Sequence, residues 1–132
     1  MKKLAFAAIV SLFASLPAHA GAYEDMLEAI IRGNASEVAE IIKMGLDPNI
    51  VDKQGNTLLI LAVREDNEAI VDVLLAAKAN PNMAKKNRDT ALIWAAQHNN
   101  MEMVKKLLEA KTDPNMANKD GETALIWAAH HN

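Results

Sequence analysis

Three copies of a proline-centred tripeptide constrain this chain more than any other feature. Asp47-Pro48-Asn49, Asn80-Pro81-Asn82 and Asp113-Pro114-Asn115 recur at a constant spacing of 33 residues, and Thr57, Thr90 and Thr123 keep the same interval. Between residues 90–99 and 123–132, nine of ten positions are identical, with Gln97 against His130 the exception. A period held without insertion implies units that stack on one another in one repeated way, because a single unit of this length cannot bury its apolar face alone.

Within a unit the pattern reads as two short helices and a turn. The Thr90 hydroxyl suits a helix start, and Ala91, Leu92, Ile93, Trp94, Ala95 and Ala96 continue as a short, mostly buried helix. His98, Asn99 and Asn100 break it. Val104, Leu107 and Leu108 then fall at the i, i+3, i+4 spacing of an amphipathic second helix, with Lys105, Lys106 and Glu109 on its wet side. The matching stripes are Val38, Ile41 and Ile42 one way along the chain and Val71, Leu74 and Leu75 between. Pro48, Pro81 and Pro114 stop the helices, while Gly55 and Gly121 suit a turn that needs positive φ.

At these residues the chain resembles the ankyrin-repeat family. The family pattern of Asp, two residues, Gly, one residue, Thr-Pro-Leu-His, then Ala-Ala and Gly-Ala-Asp-Val-Asn is matched by Asp52, Gly55, Thr57, Leu59, Ala62, Gly45, Asp47 and Asn49. Asn118, Gly121, Thr123, Leu125, Ala128 and Ala129 repeat it. Projected back by one period, the first helix is expected over Tyr23 to Arg32. The resemblance implies an all-α ankyrin-repeat solenoid of stacked helix-turn-helix units with hairpin loops, the units at about 22–54, 55–87 and 88–120 and a partial one at 121–132. The departures are specific. Leu58, Ala91 and Ala124 stand where the family has Pro, and Ile60, Ile93 and Ile126 where it has His, so burial has to replace that histidine's hydrogen bonds. Arg88 stands where Gly55 and Gly121 do, which predicts a strained turn. The last unit stops after its first helix. Either the chain continues in nature or the end is open, with Leu125 and Trp127 lacking second-helix cover and the C-terminus marginal.

The first twenty residues read as an address. Met1, Lys2 and Lys3 make a positive start, Leu4 to Leu16 is almost unbroken apolar chain, and Ala18-His19-Ala20 places small residues where signal peptidase reads. A leader over residues 1–20 with cleavage after Ala20 is expected, leaving a repeat domain over 21–132. The apolar run is shorter than the ~20 residues a membrane-spanning helix needs. Gly21 in place of Cys and the absence of a twin Arg point to general secretion without a lipid anchor. The expected compartment is the periplasm of a Gram-negative cell or the medium, with no membrane attachment after cleavage.

The leader takes two of the 14 basic residues, leaving 12 against 17 acidic ones, a net of −5. That balance argues against a nucleic-acid partner, and the basic spot of Lys85, Lys86 and Arg88 reads as a solvated loop. With no Cys there is no disulfide framework, thiolate metal site or thiol nucleophile. Ser36 is the one serine after the leader and no nucleophile elbow surrounds it; no glycine-rich phosphate loop is present. The reading is of a non-enzyme without a cofactor.

Trp94 and Trp127 occupy the place of Leu61 and are expected in the core. Met26, Met44, Met83, Met101, Met103 and Met116 read as gap fillers or loop residues. His98, His130 and His131, with Met101 and Met103 nearby in sequence, invite a copper or haem reading as an alternative. Their spacing matches no ligand pattern and no Cys or carboxylate completes the set, so no metal site is assigned and they read as exposed polar residues at a helix end. The resemblance implies that another protein is held by the turn tips and the exposed sides of the first helices. Carried over by position, that strip is Lys53, Gln54, Asn56, Arg64 and Glu65; then Lys86, Asn87, Asp89, Gln97 and His98; then Lys119, Asp120, Glu122, His130 and His131. The protein is expected to be monomeric or to associate weakly through its open end. Exported members of such a family include helpers of peroxide-detoxifying enzymes such as catalases, and immunity proteins that neutralise secreted toxins.

Overall fold

The computed structural model describes residues 20–132, so the leader expected over 1–20 lies outside the described residues except for Ala20. Seven helices follow in order: α1 Ala20–Ile31, α2 Ala35–Lys43, α3 Leu58–Arg64, α4 Glu68–Ala76, α5 Ala91–Gln97, α6 Met101–Glu109 and α7 Ala124–His130. The described residues contain no strand, and isolated antiparallel bridges, Val51 with Thr57 and Ala84 with Thr90, tie the long turns at their base.

Local chemistry sets each helix start. The Oγ1 atoms of Thr57, Thr90 and Thr123 accept from the backbone N–H groups of Ile60, Ile93 and Ile126 at 3.0, 3.2 and 3.4 Å. Asn34, Asn67 and Asn100 do the same for the second helices, accepting from Glu37, Ile70 and Met103. Asn100 therefore does more than break α5: it begins α6. Residues with positive φ recur at the sequence period, in three sets: Gly33, Asp66 and Asn99; Gly45, Lys78 and Lys111; Gly55, Arg88 and Gly121. Arg88 adopts φ 66°, so the turn expected to be strained does hold a bulky side chain in the left-handed region.

Units stack in parallel register. The first helices form one layer, α1 on α3, α3 on α5 and α5 on α7, and α2 packs on α4 in the other. Hydrogen bonds near one period apart join neighbouring units at both ends. On the turn side, the N–H groups of Asn80 and Asp113 donate to Asn49 Oδ1 and Asn82 Oδ1. On the other side, Asn100 Nδ2 donates to Asp66 Oδ1, Lys106 Nζ reaches Asp72, and His131 Nε2 donates to the Gln97 carbonyl at 2.9 Å.

The core lies between the layers. Leu58, Leu59, Ile60, Ala62 and Val63 of α3 are buried, as are Ala91, Leu92, Ile93, Ala95 and Ala96 of α5. Ile60 and Ile93 are each 1% exposed, so burial worth about 2 kcal/mol apiece stands in for the hydrogen bonds of a histidine. Val38, Ile41, Val71, Leu74, Met103 and Leu107 complete the core from the second helices. Toward residue 132 the cover thins: Leu108 and Ile126 are exposed, and Leu125 reaches 77%. Of the methionines, Met26 and Met103 are fully buried and Met101 is exposed.

Candidate protein-binding surface

The turn tips are held by carboxylate and carboxamide groups that satisfy the turn's own N–H groups. Asp52 Oδ1 accepts from the backbone of Gln54 and Asn56 at 2.9 and 2.8 Å, and Asp52 Oδ2 accepts from Asn56 Nδ2 at 2.7 Å. Burial alone would push the Asp52 carboxyl up, but these bonds from Asn56, Gln54 and the Gly55 backbone outweigh it and hold the group below its ordinary range. Asn118 takes the same place in the last unit, its Oδ1 accepting from the N–H groups of Asp120 and Glu122 at 3.0 Å. Its Nδ2 donates both to Glu122 and across the unit boundary to Asp89 Oδ1, at 3.2 Å each. Asp89 also accepts from Asn87 Nδ2.

Those bonds correct part of the expected strip. Asn56 and Asp89 are 7% and 6% exposed and turn inward onto Asp52, Asn87 and Asn118, so they stabilise the turns and do not face a partner. Glu122 is half-buried against Asn118, and Gln97 is half-buried. Lys53, Gln54, Arg64, Glu65, Lys86, Asn87, His98, Lys119, Asp120, His130 and His131 are exposed. Successive tips lie side by side. The Lys119 N–H donates to the Asn87 carbonyl at 3.0 Å, and a Cβ on Gly55 would meet Lys86 N at 3.3 Å.

Trp94 meets the expectation in part. It packs against the buried core but is only half-buried on α5, and Trp127 and Leu61 do the same on their helices. The His98 ring stacks on the Trp94 indole with centroids 4.6 Å apart. Arg64 Cζ lies 5.3 Å and Lys85 Nζ 5.1 Å from the indole centroid, within cation–π range. Lys85 is thus folded against the indole and is not part of a free solvated loop. A groove of about 540 Å³ opens beside it, bordered by Val63, Arg64, Trp94, His98, Asn100 and Met101. The sequence carried a signal for this: residues 61, 64 and 65, and 94, 97 and 98, share one helical face, and two of each three are polar.

Two of the three histidines bond to the scaffold. His98 Nδ1 donates to the Trp94 carbonyl and His131 Nε2 to that of Gln97. Among the described residues, no three His, Asp or Glu side chains gather as a metal site.

A family model described as ankyrin repeats (3 copies) matches residues 26–118 and, overlapping it, 69–132. The chain belongs to the ankyrin-repeat family. No curated protein matches it. An ankyrin stack is a protein–protein interaction module: the buried positions that repeat every 33 residues hold the frame, and the exposed tip and first-helix positions are free to differ. In this ankyrin stack they do differ, Lys53, Lys86 and Lys119 alone sharing one residue type along the strip while Arg64 and Glu65 give way to Gln97 and His98 and then to His130 and His131. No described helix is long and apolar enough to cross a membrane.

Proposed function

We propose that this ankyrin-repeat protein is exported by its leader and binds a partner protein through the turn tips and the open face of α3, α5 and α7. The observation that carries the reading is the contrast along the strip. Turn-forming side chains such as Asp52, Asn56, Asp89 and Asn118 are consumed in a fixed frame, while their neighbours Lys53, Lys86, Asn87 and Lys119 stand exposed on it. A rigid frame presenting varied polar side chains around the half-buried indoles of Trp94 and Trp127 suits recognition of another protein, where a few anchors carry most of the affinity.

The narrower role we propose is that of helper to an extracytoplasmic stress-defence enzyme such as a catalase, a reading supported by the leader and by the family resemblance. Affinity capture from the native extracytoplasmic fraction tests the general reading, with Lys86→Glu/Lys119→Glu as the comparison. We expect the variant to lose the captured proteins; capture of the same set by both would remove the strip. Peroxide sensitivity of a deletion strain supports the narrower role, whereas growth affected only when a neighbouring toxin is expressed would replace it with that of an immunity protein.

A further inference from the structure

The groove beside Trp94 combines an apolar lining with acidic charge. Val63 and Ala95 line it as buried side chains and Trp94 as a half-buried one, while Met101 is 57% exposed. Its charged lining is one cation, Arg64, against three carboxylates, Asp66, Glu68 and Glu102; Lys85, though near the indole, is not part of it. Lys106 reaches Glu68 at 3.7 Å but lies closer to Asp72, at 3.1 Å, so adding that cation with its second carboxylate leaves the balance negative. Asp66 is bonded to the neutral Asn100, and Glu102 forms no ion pair among the described residues. The repeat does not require these carboxylates. One period earlier Gly33, Ala35 and Ala69 hold the three places, and one period later Asn99 and Met101 hold the first two. An acid in the first turn suits a helix start, but α2 meets that need with Glu37, which is bonded to its own cap Asn34 and to Arg32. Among the described residues, Asn67 and Asn100 make no such bond to Glu68 or Glu102.

We infer that this groove takes a basic segment of the partner protein, a lysine or arginine stem lying along Met101 and Trp94 with its cationic head among Asp66, Glu68 and Glu102. The inference rests on the protein-binding reading above and names the chemistry of the partner. Lysine and arginine lay an apolar stem on apolar surface while the charged head keeps polar company, and the lining offers both kinds of surface within one groove of about 540 Å³. The head gains charge-assisted hydrogen bonds from carboxylates that the frame leaves largely uncompensated. Among the described residues these carboxylates do not gather closely enough to hold a metal ion, so their spacing suits the head of a side chain and not a bare cation. Arg64 opposes the occupant, but its guanidinium lies 5.3 Å from the indole centroid and is outnumbered by the carboxylates. An anionic segment would meet the same three carboxylates against one cation. The acidic excess of the whole chain also favours encounter with a basic partner.

The test is a titration of the protein with a twelve-residue oligolysine, read by the indole N–H resonance of Trp94, which Trp127→Phe assigns. A saturable shift that weakens several-fold between roughly 50 and 300 mM salt is expected. Asp66→Asn/Glu68→Gln/Glu102→Gln should lower the affinity about fivefold or more, while Glu24→Gln/Glu40→Gln/Glu109→Gln, which removes as many carboxylates away from the groove, should change it less than about twofold. Arg64→Gln should tighten the binding, because it removes the one opposing cation of the lining. If the groove variant fails to fold, Glu68→Gln/Glu102→Gln is read in its place. An unmoved indole, an equal loss in both triple variants, weaker binding by Arg64→Gln, or an equal response to oligoglutamate would each overturn the inference. Capture that depends on Lys86 and Lys119 alongside a silent oligolysine titration would overturn it while leaving the protein-binding reading in place.

Discussion

Asp52 carries the first turn as an anion. Its bonds from Asn56, Gln54 and Gly55 outweigh the cost of burial and depress its pKa in the folded state. A depressed carboxyl contributes stability that is complete above the unfolded pKa of about 3.9 and fades as the pH falls through the folded value. Asp52→Asn should therefore cost about 1 kcal/mol at pH 7, less than a full deletion because Asn118 shows that a carboxamide can accept the same two backbone bonds. Urea unfolding at pH 7 and again near pH 3 checks this: the deficit should shrink in acid, and a constant deficit would mean that charge is not the cause. Arg88 is the opposite case, a side chain where the backbone favours none. At φ 66° it pays the left-handed penalty that Gly55 and Gly121 avoid, and Arg88→Gly should raise stability by about 0.5–1 kcal/mol once the extra freedom of an unfolded glycine is deducted. A lower melting temperature for that variant would show that Arg88 makes contacts worth more than its strain.

The helices differ in how firmly their caps are set. Thr90 is buried and its Oγ1 lies 3.2 Å from the Ile93 N–H, whereas Thr123 is less covered and its bond is 3.4 Å. Thr90→Ala should cost about 1–2 kcal/mol and Thr123→Ala less than half as much, measured by chemical unfolding of the two variants. Equal costs would separate cap strength from burial. These helices were legible in the sequence, because a Thr before an apolar run and an i, i+3, i+4 stripe each have one local physical meaning. The second-helix caps were half-legible: Asn99 and Asn100 read as a break, since the same residue type both ends one helix and starts the next. Trp94 was legible only in part, for a different reason: it packs against the core but is half-buried. Its size argues for the core, but in a seven-residue helix packed on both sides, direction around the axis decides, and position 94 points with residues 97 and 98 toward the open face. Asn56 and Asp89 were misplaced because polarity at a tip suggests exposure, while the bonds that bury them run to Asp52, Asn87 and Asn118, the last of these a unit away.

In a linear stack each unit is stabilised only by its neighbours, so stability should follow how many sides of a unit are covered. Helix α5 has α3 on one side and α7 on the other, and its Leu92 and Ile93 are 2% and 1% exposed. Helix α7 meets α5 alone among the first helices, and the equivalent Leu125 and Ile126 are 77% and 40% exposed. Within residues 20–132 the same side-chain sequence thus has two flanking first helices at α5 and one at α7. Ile93→Ala removes a fully enclosed side chain and should cost about 3 kcal/mol, whereas Ile126→Ala removes a half-solvated one and should cost about 1 kcal/mol. Native-state amide exchange reads the same gradient directly: protection across residues 123–131 should fall at least about thirtyfold below that across 90–98, an opening free energy about 2 kcal/mol smaller. Because nine of the ten residues in the two segments are identical, local propensity cannot produce such a difference. Equal protection would mean that the stack opens as one cooperative body, and that contact with α5 alone is enough to hold α7.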